Sequence, residues 1–127
     1  MLFGKNNLAQ MSYGFTGVNE HYGQAKNPYD KTRITGGSLS GAGASVAARL
    51  VPAALGGDTV GSIRVPASFC GVVGFRPTTG RWSSGGVAPI AHTLDVNGPI
   101  ARTVEDCTLL DAVITGGSPV RIGSSIS

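Results

Sequence analysis

Alternating helix and strand signals along one uninterrupted chain predict an α/β fold. The signals are a small-residue helical run from Ser40 to about Leu50, apolar strand-like stretches at Ala53–Gly56 and Gly71–Phe75, and a capped helical run after Thr103. Size agrees: 127 residues is the size of one domain, and a chain of that size can bury roughly two thirds of its unfolded surface on folding. The chain is 41% hydrophobic and only 13% charged, against roughly 25% charge in an ordinary globular protein. So low a charge suits a sequence much of whose surface is covered by something larger. Seven arginines and three lysines are scattered singly from Lys5 to Arg121, so the net charge of +3 forms no basic stripe and argues against a nucleic-acid partner.

Taken in order, Leu8, Met11 and Phe15 with Asn6 or Asn7 as cap predict a short helix stopped at Gly14. Thr16 to Thr35 lacks periodicity and has a turn at Asn27-Pro28, which predicts a long ordered loop wrapped around the site, since loops of that length in compact domains are usually functional. From Ser40 the apolar positions Ala42, Val46 and Leu50 recur at helical spacing among Gly, Ala and Ser, and Pro52 is expected to end the helix. Its amino end points unpaired N–H groups at the Gly36-Gly37-Ser38 turn.

Ala53–Gly56 follows as a short buried strand, then a brief helix or turn through Pro66 and Ala67, then the strand Gly71–Phe75 closed by Pro77. Residues 78–99 read as turns, punctuated by Gly80, Gly85-Gly86, Pro89 and Gly98-Pro99. Thr103-Val104-Glu105-Asp106 resembles a capping box with Asp in the fourth place. Val104, Cys107, Leu109, Leu110 and Ile114 are expected to share the buried face of its helix, which Gly116-Gly117 stops. Residues 118–127, rich in Ser and Gly, are expected to form a disordered tail.

Several chemistries find no support. Cys70 and Cys107 stand alone in apolar surroundings and read as buried thiols, with no metal-ligand spacing beside either. His21 and His92 have no partner at a telling interval and read as loop or surface histidines. Gly-x-Ser-x-Gly, the Gly-rich phosphate loops and apolar runs of about 20 residues are all missing from the sequence, so no membrane is expected as a partner and a cytoplasmic location is.

What remains is a pair of glycine-framed serines, Ser38 and Ser62, 24 positions apart. The stretches Gly36-Gly37-Ser38-Leu39-Ser40-Gly41 and Gly57-Asp58-Thr59-Val60-Gly61-Ser62-Ile63-Arg64, continued by Pro66-Ala67 and Cys70-Gly71-Val72-Val73-Gly74, resemble the amidase signature family, hydrolases of carboxamides. The resemblance covers most of residues 3–117. It implies a mixed β-sheet flanked by helices, of which residues 1–117 are a partial, central portion, an incomplete amidase signature fold.

Position by position, the resemblance makes Ser62 the nucleophile and Ser38 the bridging serine on a cis peptide. The N–H groups of Thr59, Val60, Gly61 and Ser62 become the oxyanion hole, and Asp58 and Arg64 become the pair bracing the turn. These residue types suit the chemistry, because a serine hydroxyl becomes a strong nucleophile only when a base draws its proton, and a neutral lysine can do so through a second hydroxyl. The family's lysine lies upstream of the part corresponding to Met1, so Ser62 has no identified base here, and Lys5 occupies a different place in the pattern.

Two further departures stand out. Leu39 replaces a usual serine, and Val60 a usual glycine, which would strain the turn if positive φ were needed there.

The resemblance implies cleavage of a carboxamide to acid and ammonia through an acyl-serine. No cofactor and no metal are implied; the expected partner is a small amide, and a homodimer is among the expected assemblies. Asn27-Pro28-Tyr29-Asp30, Phe75–Arg81 and Ala101–Asp106 look most like the branch of indoleacetamide and mandelamide hydrolases. The alternatives are a catalytically inactive truncated remnant or binding module, and a glutamine amidotransferase-type subunit.

Overall fold

A computed structural model describes residues 1–117; the expected disordered tail lies outside the described residues. Helix α1 spans Ser40–Ala47, strand β1 Ala53–Asp58, helix α2 Arg64–Phe69, strand β2 Val73–Gly74, strand β3 Val96–Ala101 and helix α3 Val104–Thr115. The three strands form one antiparallel sheet in the order β1-β3-β2. The chain is therefore α/β as expected.

The sheet departs from expectation at its centre. Val96–Ala101, placed among turns on account of Gly98-Pro99, is the middle strand, paired with β1 over all six residues from Ala53 opposite Ala101 to Asp58 opposite Val96. Pro99 is tolerated because its carbonyl accepts the Phe75 N–H at 3.0 Å. The proline nitrogen, which has no hydrogen, thus falls on the side of β2, beyond that strand's two paired residues, and the β1 ladder loses nothing. Gly98 also has a packing reason. A methyl there would lie inside the contact shell of the Phe75 carbonyl and 2.9 Å from Pro77 Cδ.

Helix α1 is shorter than its apolar spacing suggested, ending at Ala47 rather than near Leu50. Arg49 adopts φ 61°, and the N–H groups of Arg49 and Leu50 donate to the carbonyls of Val46 (3.1 Å) and Ser45 (2.9 Å). That is a Schellman cap with arginine where glycine is usual, so the helix stops before Pro52 is reached. Its small residues permit close approach: a Cβ on Gly43 would sit 2.9 Å from the Pro66 carbonyl of α2.

The N-terminal helix does not form. Only a single 3-10 turn, Gln10–Ser12, is present, with Met11 and Ser12 at positive φ. The backbone groups that a helix would use are spent on long-range bonds: Ala9 N–H donates to Ser38 O (2.8 Å), Gln10 N–H to Val18 O (3.1 Å), and Asn7 O accepts from Gly41 N–H (2.8 Å). Residues 6–18 are a strap across the Ser38 turn. The contact is so close that Gly37 has no room for a side chain against Gly14 and Gly17, nor Gly41 against Asn7.

The core is small: Leu39, Ala42, Val46, Ala54, Ile63, Ala67 and Ile100, flanked by Leu8, Val51 and Val72. Ile63 and Ile100 are fully buried, each contributing about 1.5–3 kcal/mol by burial of its side chain. Helix α3 is capped at Thr103, whose side chain accepts the Asp106 N–H at 3.1 Å, and ends at left-handed Gly116.

The face α3 buries is not the apolar set expected. Cys107, Asp111 and Ala112 turn inward, while Val104, Leu109, Val113 and Ile114 are exposed. Asp111 is drawn in by a bidentate ion pair with Arg81 and a 2.9 Å bond from the Trp82 indole N–H. Leu55 and Phe69 are also more than half exposed. With this much apolar surface open, the 127-residue chain by itself is expected to bind 8-anilinonaphthalene sulfonate strongly. Titration by fluorescence checks this, with Leu55→Ser and Val113→Ser each expected to lower the signal.

Candidate active site

The two serine turns meet beside the amino end of α1. The Gly37–Ser38 peptide bond is cis. Ser38 is 1% exposed, and its carbonyl accepts from both Ala9 and Ser40 (2.8 and 2.9 Å). Ser62, 7% exposed, ends the turn between β1 and α2, and its carbonyl accepts the Leu39 N–H at 3.3 Å. That bond ties one serine turn to the other across 24 residues of sequence.

Asp58 organises the second turn. It is the last residue of β1 and fully buried, and its Oδ2 accepts from the N–H of Ile63 (3.2 Å), the N–H of Arg64 (3.3 Å) and Arg64 Nε (3.0 Å), while Oδ1 takes Arg64 Nη2 at 3.0 Å. Burial alone would raise its pKa. The hydrogen bonds and charge of Arg64, with the Ile63 N–H, outweigh it and hold the carboxyl below the ordinary aspartate range.

A carboxylate placed there satisfies donors at the start of α2 and fixes where the chain re-enters a helix. The turn's positive φ falls one residue after Val60, on Gly61 (φ 146°). Val60 itself is an exposed side chain in ordinary backbone, so the condition for strain there is not met.

Leu39 also takes a different part from the one its position suggested. Its side chain is 6% exposed and belongs to the core, lying directly over Gly56 of β1, where an added Cβ would collide with both its methyl groups. Lys5 is exposed. Burial pushes the Cys70 thiol up to about 11 and raises that of Cys107, so neither is a thiolate at neutral pH.

Two residues that sequence reasoning passed over hold the turn from the far side. Arg76 spans Asp58 and the residues before β3: Nη1 donates to the Asp58 carbonyl and lies 3.5 Å from its carboxylate, and Nη2 donates to Leu94 O at 3.0 Å. Asp95 takes the Thr59 hydroxyl on Oδ1 at 2.6 Å and the N–H groups of Ile90 and Ala91 on Oδ2 at 2.8 and 3.0 Å. The signal for Asp95 was available only through register. Once Val96 is known to pair with Asp58, the next residues, 59 and 95, stand opposite each other.

Fold and paired serine turns together agree with one class of protein, the amidase signature family. The chain belongs to the amidase family, whose model, Amidase, matches residues 1–126. It is 44% identical to an indoleacetamide hydrolase of Pseudomonas savastanoi over 98% of its own length and 29% of that protein's. It is 49% identical to one component of the glutamyl-tRNA(Gln) amidotransferase of Chromohalobacter salexigens, over 98% of this chain and 25% of the relative. A crystal structure of an amidase superposes with a TM-score of 0.89 at 43% identity, over 92% of this chain and 27% of the other. The chain thus spans a quarter to a third of the length of these relatives. No described helix is long and apolar enough to cross a membrane.

Proposed function

We propose that this chain carries the nucleophile of an amidase that cleaves a carboxamide to a carboxylic acid and ammonia, with Ser62 forming the acyl intermediate. The observation that carries the proposal is the Asp58–Ser62 turn, a buried hydroxyl at the end of a glycine turn whose backbone is braced by Asp58 and joined to the Ser38 turn. Ser62 Oγ attacks the carboxamide carbon. Its proton passes to Ser38, which hands it to the base, a neutral lysine by family resemblance that is not assigned to any of these residues. The tetrahedral oxyanion is received by N–H groups of Thr59, Val60, Gly61 and Ser62, a contribution of roughly 3–4 kcal/mol per donor in other serine hydrolases. Protonated nitrogen leaves as ammonia, and water then attacks the acyl-serine.

For the substrate we propose an arylacetamide such as indole-3-acetamide, supported by the identity to the indoleacetamide hydrolase. The 49% identity to an amidotransferase component supports a second reading, in which the same serines release ammonia from glutamine for a partner protein. The protein expressed from its complete gene distinguishes the two. Hydrolysis of indole-3-acetamide and a fluorophosphonate adduct mapped by mass spectrometry to Ser62, both lost in Ser62→Ala, are the expected results. Ammonia release from glutamine only with an added partner would favour the amidotransferase reading, and an unlabelled, inactive protein would leave the inactive remnant.

A further inference from the structure

We propose that Asp95 is a positioning residue for the Thr59–Ser62 turn, acting through the Thr59 hydroxyl; this rests on the reading of Ser62 as nucleophile. The β1–β3 backbone ladder ends at the pair Asp58 and Val96. One step further the register sets Thr59 opposite Asp95, and there the strands are joined by side chains, the hydroxyl donating to the carboxylate at 2.6 Å. A rung made by side chains keeps the strand end in place while the Thr59 backbone turns out of the sheet, as it must if its N–H is to face an oxyanion.

The second carboxylate oxygen is held by two backbone N–H groups, of Ile90 and Ala91, so Asp95 is itself fixed. Arg76 closes the frame by donating to the carbonyls of Asp58 and Leu94, the two residues that precede Thr59 and Asp95. The turn is thus gripped on both flanks, by Asp58 with Arg64 from the α2 side and by Asp95 with Arg76 from the β3 side. The Thr59 hydroxyl is the point at which the second grip reaches the donors.

The test uses the protein expressed from its complete gene and a small alkyl fluorophosphonate, whose reaction bonds Ser62 Oγ to phosphorus, expels fluoride and passes the hydroxyl proton to the base. Thr59→Val keeps the shape and removes the donor; Thr59→Ser keeps the donor. The maximal labelling rate at Ser62 is expected to fall about 10- to 100-fold in Thr59→Val and in Asp95→Ala, the scale of a misplaced reacting group. The half-saturating concentration should stay within about 3-fold, and Thr59→Ser should recover most of the loss. The double variant Thr59→Val/Asp95→Ala should be no slower than the slower single, because both remove one interaction.

Wild-type labelling rate in Thr59→Val, even with a lowered melting temperature, would overturn the proposal, since a purely structural bond moves stability alone. Equal losses in the Val and Ser variants would do the same. If instead wild-type protein is not labelled at Ser62, the nucleophile reading falls and takes the positioning role with it.

Discussion

Asp58→Ala is expected to destabilise the protein by about 3–5 kcal/mol, the range for removing one partner of a buried ion pair. The size follows from what the carboxylate does. It is fully buried and receives two backbone N–H groups, of Ile63 and Arg64, besides two guanidinium bonds, so alanine would strand donors at the start of α2 and leave Arg76 beside an empty site. Arg64 is half exposed and can recover water, which keeps the cost from rising further. Urea unfolding of the protein from its complete gene measures this, and a loss under about 1 kcal/mol would show that the turn holds without its carboxylate. Asp58→Asn should cost less, because one acceptor oxygen remains.

The same carboxylate gives a pH signature. Its pKa is lowered in the folded state, so its stabilisation is fully present above the ordinary aspartate value near 3.9 and drains away as pH falls through the folded value below it. Asp95, lowered chiefly by the Thr59 hydroxyl, acts in the same direction. Acid unfolding curves should therefore separate wild type from Asp58→Asn above about pH 4 and converge at lower pH.

Gly98→Ala is expected to be as damaging, by about 3 kcal/mol or more, at the upper end of overpacking in a tight core. The methyl would meet the Phe75 carbonyl, Pro77 Cδ at 2.9 Å and Ile63 Cδ1 at 3.2 Å, and the first of these is backbone that cannot swing aside. Because Gly98 lies in the middle of the central strand, moving it disturbs the pairing with β1 and the fully buried Ile63 together. Thermal melting checks this. A fall of less than about 2 °C, well below what a change of that size produces in a domain of this length, would mean that β3 can shift to make room.

What could be read from residues alone divides along physical lines. Helices α1 and α3 and strand β1 depend on local signals, namely caps, spacing and glycine, and they begin where those signals put them, though α1 stops early and β1 runs on to Asp58. Strand β3 was hidden because Gly98 and Pro99 are turn formers by propensity, and only the close approach of Phe75 and Pro77 and the one-sided pairing of Pro99 make them strand residues. The N-terminal helix failed for the opposite reason: its spacing was helical, but Asn7, Ala9 and Gln10 had stronger claims on their backbone groups from Gly41, Ser38 and Val18. Leu39 could be recognised as unusual, but its place over Gly56 is tertiary, and so is the inward turn of Asp111 toward Arg81 and Trp82.

The strand order has a consequence for synthesis. Strands β1 and β2 do not pair with each other; both pair with β3, which is complete only at residue 101. A nascent chain that has made every residue of both serine turns therefore lacks the strand that joins β1 to β2, and has no Asp95 to hold Thr59. At about 5–20 residues per second of translation, the interval from Ser62 to Ala101 lasts on the order of seconds. Until β3 is made, the edges of Ala53–Asp58 and, once synthesised, Val73–Gly74 that it covers stay open, so chaperone binding to stalled chains should drop once β3 has left the exit tunnel.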